Sequence, residues 1–443
     1  MKKLTLILVF LLFSTSISFA QKTLLQSGPM VGYAEKHEVL LWVQTTKNAK
    51  VKFKYWPKSN TKNAHWSSSV NTKKKNSYVA KFILDEVKEG TSYNYELYIN
   101  NKKIVVDYDL SFKTQEVWRW RKDAPNFKFA FGSCTYINDP KFDRPGTPYG
   151  SNYEIFESIR EKQPDFMLWG GDNLYLRQDE WNSRTGFNHR YTNDRSLPEL
   201  QPLLASTSNY AILDDHDFGA NDSDSSFWNK DMSLEFFENF WGNPSCGIGD
   251  IKGAISFFSW NDADFFLLDN RYHRNSDKLK ATNKTILGEK QLEWLKNALA
   301  SSNANFKFVV IGGQVLNTSK NYENYTNNDF NMERLEILNF IQNQKVKGVV
   351  FLTGDRHHTE MSLLKDNNEV AIYDLTVSPF TSGVGNKDRK EKNRLRVENT
   401  MVTEHNFSTI GFSGDWKNRQ ATITIFNVQG EKIWEQIIKK TDF

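Results

Sequence analysis

Four short stretches of this 443-residue sequence close on residues that bind metals: "GSC" ending at Cys134, "GGDNLYLR" ending at Arg177, "LDDHD" ending at Asp217 and "TGDRHH" ending at His358. Each follows an apolar, strand-like run. In open α/β sheets, ligands bind at the carboxyl ends of the strands. One such tail means little, because an aspartate after a strand is a routine loop opener or helix cap. Four tails that together offer a thiol, carboxylates, a phenol and imidazoles are harder to explain as caps.

Two adjacent metals would need several N, O or S ligands each and one carboxylate shared between them. Asp172 suits the shared position, because Gly170 and Gly171 before it let backbone approach closely. Tyr175, three residues on, is a poor ligand for calcium or magnesium but, as phenolate, a good one for ferric iron. Cys134 adds a soft thiolate. Asp355 and His357 lie two apart on an extended segment, so both can face the same way and serve one metal each. Asp215 supplies another oxygen. His216 beside it has two readings: contact with a substrate phosphate or protonation of a leaving group, or a histidine satisfied by its neighbouring carboxylate. Ser133 is no hydrolase nucleophile, since "GSC" lacks the glycine after serine that a nucleophile elbow requires.

The chain has two cysteines, Cys134 and Cys246. Its start, "MKKLTLILVFLLFSTSISFA", reads as a secretory signal peptide: two lysines, an apolar run over 4–13 too short for a comfortable membrane span, then small residues at Ser18 and Ala20. Cleavage removes Lys2 and Lys3 and leaves a net charge of about +2. No cysteine follows the run to carry a lipid. The expected location is outside the cytoplasm, periplasmic or extracellular. In an oxidising compartment two cysteines most simply form a disulfide. Disulfide, reactive thiol and metal ligand therefore all stay open for Cys134 on counting alone.

The elements that must position these residues follow from the pattern. Residues 22 to about 115 alternate at period two in "HEVLLWVQT", "AKVKFKYW", "SYVAKFIL" and "SYNYELYI", which predicts a β-sandwich. It holds no cluster of acids, histidines or glycines, so its expected role is packing or framing the substrate. Lys73–Lys75 reads as a solvated loop, and Glu116–Asn126 as a linker. From 127 onward, strand-like runs ("FKFAFGSC", "DFMLWGGD", "NYAILDDHD", "DFFLLDNR", "FKFVVIGGQ", "VKGVVFLTGD") alternate with helical ones ("YEIFESIREK", "LPELQPLLAS", "SLEFFENFWG", "GEKQLEWLKNALAS", "MERLEILNFIQNQ"), which predicts a layered α/β domain. The β-rich end, "EVAIYDLTV", "QATITIFNVQ" and "EKIWEQII", is expected to complete a second sheet by hairpins. The basic run Lys387–Arg396, six cations in ten residues, reads as a solvated loop, with attraction to an anionic polymer or membrane as the alternative. With 39% hydrophobic and 14% aromatic residues the chain can build a substantial core. With 57 basic against 53 acidic residues it lacks the basic excess of nucleic-acid binding.

The four tails in this order behind a sandwich, with "LLDNRYHR" and "GGQVLN" between them, resemble the alkaline phosphatase D (PhoD) family of metallophosphoesterases. The resemblance runs from about residue 25 to 438. It implies a layered αββα sandwich preceded by a fibronectin- or Ig-like β-sandwich, divided as signal peptide 1–20, β-sandwich 21–118 and catalytic domain 119–443. It implies hydrolysis of phosphate esters with Fe(3+) and Ca(2+), the second metal being open to zinc or manganese. Iron would sit on Cys134, Asp172, Tyr175 and His357. The second metal would sit on Asp172, Asp215 and Asp355, with Asn221 as a further ligand; Asp214, Asp217 and Asn221 compete for that role. Arg177 would hold phosphate oxygens by bidentate contact. The same position at the first strand end makes Cys134 a ligand rather than half of a disulfide, while Cys246 in "GNPSCGIG" has no evident tie to the site. The lysine pair at the start fits the general secretory route. Expected partners are phosphate mono- or diesters, and the expected state is a monomer. Two rivals remain: a phosphodiesterase acting on lipid head groups, nucleotides or wall polymers, and a non-catalytic surface-binding protein.

Overall fold

Strand Lys50–Pro57 shows how directly the pattern sets the architecture. Val51, Phe53 and Tyr55 are buried while Lys50, Lys52 and Lys54 face outward. That alternation belongs to a sheet with one wet face. The strands at 166–170, 208–212, 306–310 and 349–353 are instead buried at every position, as parallel strands covered on both faces must be. The computed structural model describes residues 24–281, 283–319, 325, 329–365, 370–385 and 391–443. The predicted signal peptide and the Lys387–Lys390 half of the basic run lie outside the described residues.

The N-terminal strands are β1 (Leu25–Ala34), β2 (Val39–Thr45), β3 (Lys50–Pro57), β4 (Val79–Leu84) and β5 (Ser92–Ile99). The central units are β6 (Phe127–Gly132), α1 (Ile155–Glu161), β7 (Phe166–Gly170), α2 (Arg184–Arg195), β8 (Ser208–Ile212) and α3 (Lys230–Phe240). Next come β9 (Ser256–Trp260), β10 (Ala263–Leu267), α4 (Glu289–Ser301), β11 (Phe306–Val310), α5 (Asn331–Asn343), β12 (Val349–Thr353), β13 (Glu360–Leu364) and β14 (Ile372–Thr376). Three antiparallel strands finish the chain: β15 (Asn406–Ser413), β16 (Gln420–Asn427) and β17 (Lys432–Lys439).

Two large sheets face each other. One has nine strands in the order β17-β16-β15-β6-β7-β8-β1-β2-β4; the other has six, β9-β10-β11-β12-β14-β13. Aromatic side chains fill the space between them: Phe129 of the first sheet meets Phe265 and Phe308 of the second edge-on at 5.2 and 5.4 Å. Helices α4 and α5 cover the outer face of the six-stranded sheet. Helix α1 packs Ile155, Phe156 and Ile159 into the core of the other. The layering is αββα. Within it β6, β7 and β8 run parallel, as do β10, β11, β12 and β14. The carboxyl ends of both parallel sets therefore open on the same rim.

One expectation needs correction. The terminal strands β15, β16 and β17 extend the nine-stranded sheet beside β6, and only β14 joins the second sheet. In the described part of the basic run Lys392 and Arg394 are exposed, as expected of a solvated loop, while Asn393 is buried on Glu360 and Ser362 and Arg396 pairs with Glu360. The N-terminal strands also do more than precede the two large sheets. β3 and β5 form a second, separate sheet with short flanking strands, and the sandwich core lies between it and β1, β2 and β4. The opposite faces of β1 and β2 carry Met30, Tyr33, Leu40 and Trp42 into the core of the two large sheets. β1 pairs in parallel with β8 at Val31 and Ser208, and Tyr33 N–H donates to the Gly242 carbonyl at 2.7 Å.

Candidate metal centre

Four of the residues at this rim adopt a backbone that side chains rarely take. Cys134, Asp172, Asp355 and His357 have φ of 61°, 51°, 66° and 54°. Left-handed non-glycine residues cost of order 1–3 kcal/mol each and gather at functional sites. Cys134, Asp172 and Asp355 each stand two residues past the ends of β6, β7 and β12, and His357 two residues further on. The turns hold one another: Cys134 N–H donates to the Gly171 carbonyl at 3.2 Å, and Thr135 N–H to the Asp172 carbonyl at 2.7 Å.

The side chains then fall into three overlapping triads, each with its ligand atoms within 4.8 Å of one another: Cys134–Asp172–His357, Asp172–Asp215–His216 and Asp214–Asp215–Asp355. Asp172 belongs to the first two and Asp215 to the last two. Tyr175 joins the first, its hydroxyl 3.3 Å from Asp172 Oδ2 and 3.4 Å from His357 Nε2. The ring of His216 lies 4.1 Å from that of Tyr175. The structure thus brings together Cys134, Asp172, Tyr175, Asp215, His216, Asp355 and His357.

Their surroundings prepare them as ligands. His357 Nδ1 bonds the Gly383 carbonyl and its N–H donates to Ser378 Oγ, so the Nε2 lone pair is the one aimed at Asp172 and Tyr175. Ser378 Oγ donates to Cys134 Sγ at 3.1 Å. Both cysteines are free, and Cys246 Sγ lies on the Gly253 carbonyl, so no disulfide forms.

The electrostatics fit cations. Burial pushes the Cys134 thiol up to about 12, against the pull of Ser133 and Ser378. Burial, with the charges of Asp215 and Cys134, raises Asp172, and burial with Asp214 and Asp215 brings Asp355 to about 6. Burial also opposes ionisation of Asp215, but Arg271, His216 and the Asp222 N–H overcome it and hold this carboxyl below its usual range. Asp214 Oδ2, Asp215 Oδ1 and Asp355 Oδ2 are buried without a hydrogen-bond donor. Buried carboxylates left in that state are costly unless cations complete them.

Three sequence assignments change. Arg177 is not aimed at the rim: its guanidinium is spent on Asp143 at 2.8 Å, on the Ile137 and Tyr175 carbonyls, and over the Tyr136 ring. With four of its five N–H groups engaged, it has no free pair left for bidentate contact with phosphate. Arg177→Met should therefore cost stability, about 3–5 kcal/mol for breaking a buried pair, while leaving KM of the folded fraction little changed; denaturant unfolding and steady-state kinetics check this. Asn221 is exposed on the turn after the 215–218 helix. It is the neighbouring Asp222 N–H that reaches Asp215 Oδ2, at 2.7 Å. Asp217 is a cap: its carboxyl accepts from the N–H groups of Asn173 and Asp214, and burial lifts it to about 8.

Sequence reading missed Asn270, Arg271, Ser378 and Tyr149. Asn270 Nδ2 donates to Asp214 Oδ1 at 2.8 Å, and Arg271 bonds Asp214 through Nε and lies 3.5 Å from Asp215. Gly312 makes room, since a Cβ there would stand 2.2 Å from Asp214 Oδ2. The strand-end rule that found the four tails also points to "LLDNRYHR" after β10 and could have found this pair. Ser378 follows β14 and Tyr149 lies in an irregular loop with its hydroxyl 3.3 Å from His357 Nδ1; neither carries a pattern.

Residues 254–419 match the PhoD-like phosphatase family, and residues 22–117 match a domain of unknown function (DUF7800). Alkaline phosphatase D of Bacillus subtilis (strain 168) is 22% identical over 335 residues, which are 63% of this chain and 55% of that relative's length. The solved structure of PhoD superposes with a TM-score of 0.75 at 17% identity, covering 94% of this chain and 89% of that one. The purple acid phosphatase PPD1 from yellow lupin seeds gives 0.67 at 11% identity, over 93% and 74%. No helix among the described residues is long and apolar enough to cross a membrane. The match to the PhoD-like phosphatase family thus covers residues 254–419, and the superpositions show that the chain shares its fold with PhoD and with the lupin phosphatase.

Proposed function

We propose that the rim binds two cations and that this chain hydrolyses phosphate esters there, as a protein secreted to the periplasm or the exterior. The observation that carries the reading is the overlap of two ligand triads through Asp172, because a two-metal site needs a shared carboxylate. The first position, on Cys134, Asp172, Tyr175 and His357, combines thiol, phenol and imidazole, a donor set suited to Fe(3+). The second, on Asp172, Asp215 and Asp355, is all oxygen and suits Ca(2+), with zinc or manganese as substitutes. Cations in such a pair supply Lewis acidity and make bound water a nucleophile near neutral pH.

The chain's own groups do the rest. Arg271 fixes Asp214 and Asp215 and offsets part of the negative charge beside the second position. The Gly383 carbonyl holds His357 in one tautomer. His216, its ring tilted against that of Tyr175, has a ring nitrogen within reach of both Asp172 and Asp215 and can ligate or give a proton to a leaving oxygen.

Elemental analysis of the purified protein, with a visible spectrum and hydrolysis of mono- and diester substrates, tests this. Near-stoichiometric iron, a tyrosinate- or thiolate-to-iron band and hydrolysis are expected. Substoichiometric iron with no hydrolysis after reconstitution would leave a binding protein instead. The mono- to diester ratio decides between phosphatase and phosphodiesterase.

A further inference from the structure

Beside the turns that carry Cys134 and Asp172 lies a small cavity of about 20 Å³, lined by Thr135, Asn173, Tyr191, Asp194, Arg195 and Trp241 among others. Five polar atoms on its lining have no hydrogen-bond partner: Thr135 Oγ1, Asn173 Oδ1, Tyr191 Oη, Asp194 Oδ2 and Trp241 Nε1. All five residues are more than nine-tenths buried, with exposures of 3%, 8%, 1%, 5% and 3%. Buried polar groups are almost always satisfied, and five orphans around one void ask for a common partner.

We infer that this cavity is a built site for one or two ordered water molecules. The volume agrees, since a single water needs about 10–15 Å³ by the same measure. The chemistry agrees as well. Trp241 only donates, Asn173 Oδ1 and Asp194 Oδ2 accept, and the two hydroxyls can do either, a mixed set that suits water. An anion is excluded by Asp194. A cation is disfavoured because Asp194 already pairs with Arg190 at 3.0 Å and Arg195 also lines the void. The location gives the site a purpose. Thr135 and Asn173 directly follow Cys134 and Asp172, while Tyr191 and Asp194 belong to α2. Water here ties the two left-handed ligand turns to a helix that no direct side-chain bond from Thr135 or Asn173 reaches.

A high-resolution crystal structure of the full chain, native and xenon-pressurised, tests the site. Water bonded to about three of the five atoms, with no xenon entering, is the expected result. Empty density, xenon uptake, or side chains closed onto one another would overturn it. Two near-isosteric variants give a second readout. If water is present, Thr135→Val and Tyr191→Phe each lower Tm by about 1–3 °C, and the double variant departs from additivity because both hydroxyls share a partner. If the cavity is dry, each change removes an unsatisfied buried group and Tm stays level or rises.

Discussion

Asp172→Ala should lower kcat/KM for phosphate ester hydrolysis by about 10³-fold or more, the scale of losing a central electrostatic element of an active site, and should deplete both cation positions together. The argument rests on its double membership: it stands in the triad with Cys134 and His357 and in the triad with Asp215 and His216. A residue serving one position would cost one metal. The fold should survive. Asp172 is a buried carboxyl raised by burial and by the neighbouring charges of Asp215 and Cys134, so its removal relieves repulsion in the metal-free protein. Metal content, kinetics and a melting curve on the same preparation check the three parts, and retained activity would contradict the shared role.

Cys134→Ser should empty the iron position and abolish any thiolate-to-iron absorption, whereas Cys246→Ser should leave metal content and turnover near wild type. The two cysteines differ in setting rather than in count. Cys134 is fully buried beside Asp172, with Ser378 Oγ donating to its sulfur. Cys246 is half-buried on a backbone carbonyl of its own loop. Serine keeps the size but offers a harder and far less acidic oxygen, so the soft ligand is what the substitution removes. Equal metal loss in both variants would refute the assignment.

What the sequence could say about the site depended on whether a residue's partner was near in sequence or only near in space. Strand tails are local signals, so Cys134, Asp172, Asp215, Asp355 and His357 were legible, and the sheets brought their carboxyl ends to one rim. Arg177 misled because its decisive partner, Asp143, sits 34 residues away in a loop without regular pattern. Asn221 misled because the turn after Asp215 offers the Asp222 N–H to the carboxylate and leaves the asparagine in solvent. The fold class followed from alternation and composition. The order of strands did not: nothing local in "QATITIFNVQ" distinguishes an edge of the first sheet from an edge of the second.

The pairing of β1 with β8 changes what the first hundred residues are. Without them, β8 would become the margin of the parallel set, a five-residue strand buried at every position with unpaired backbone groups along one side. Such a margin invites association with other chains. Trp42 and Met30 would also leave the core they share with the two large sheets, baring apolar surface. The N-terminal region is therefore closer to a permanent seam than to an accessory module. Newly made chains must close that seam before the two large sheets are safe from self-association.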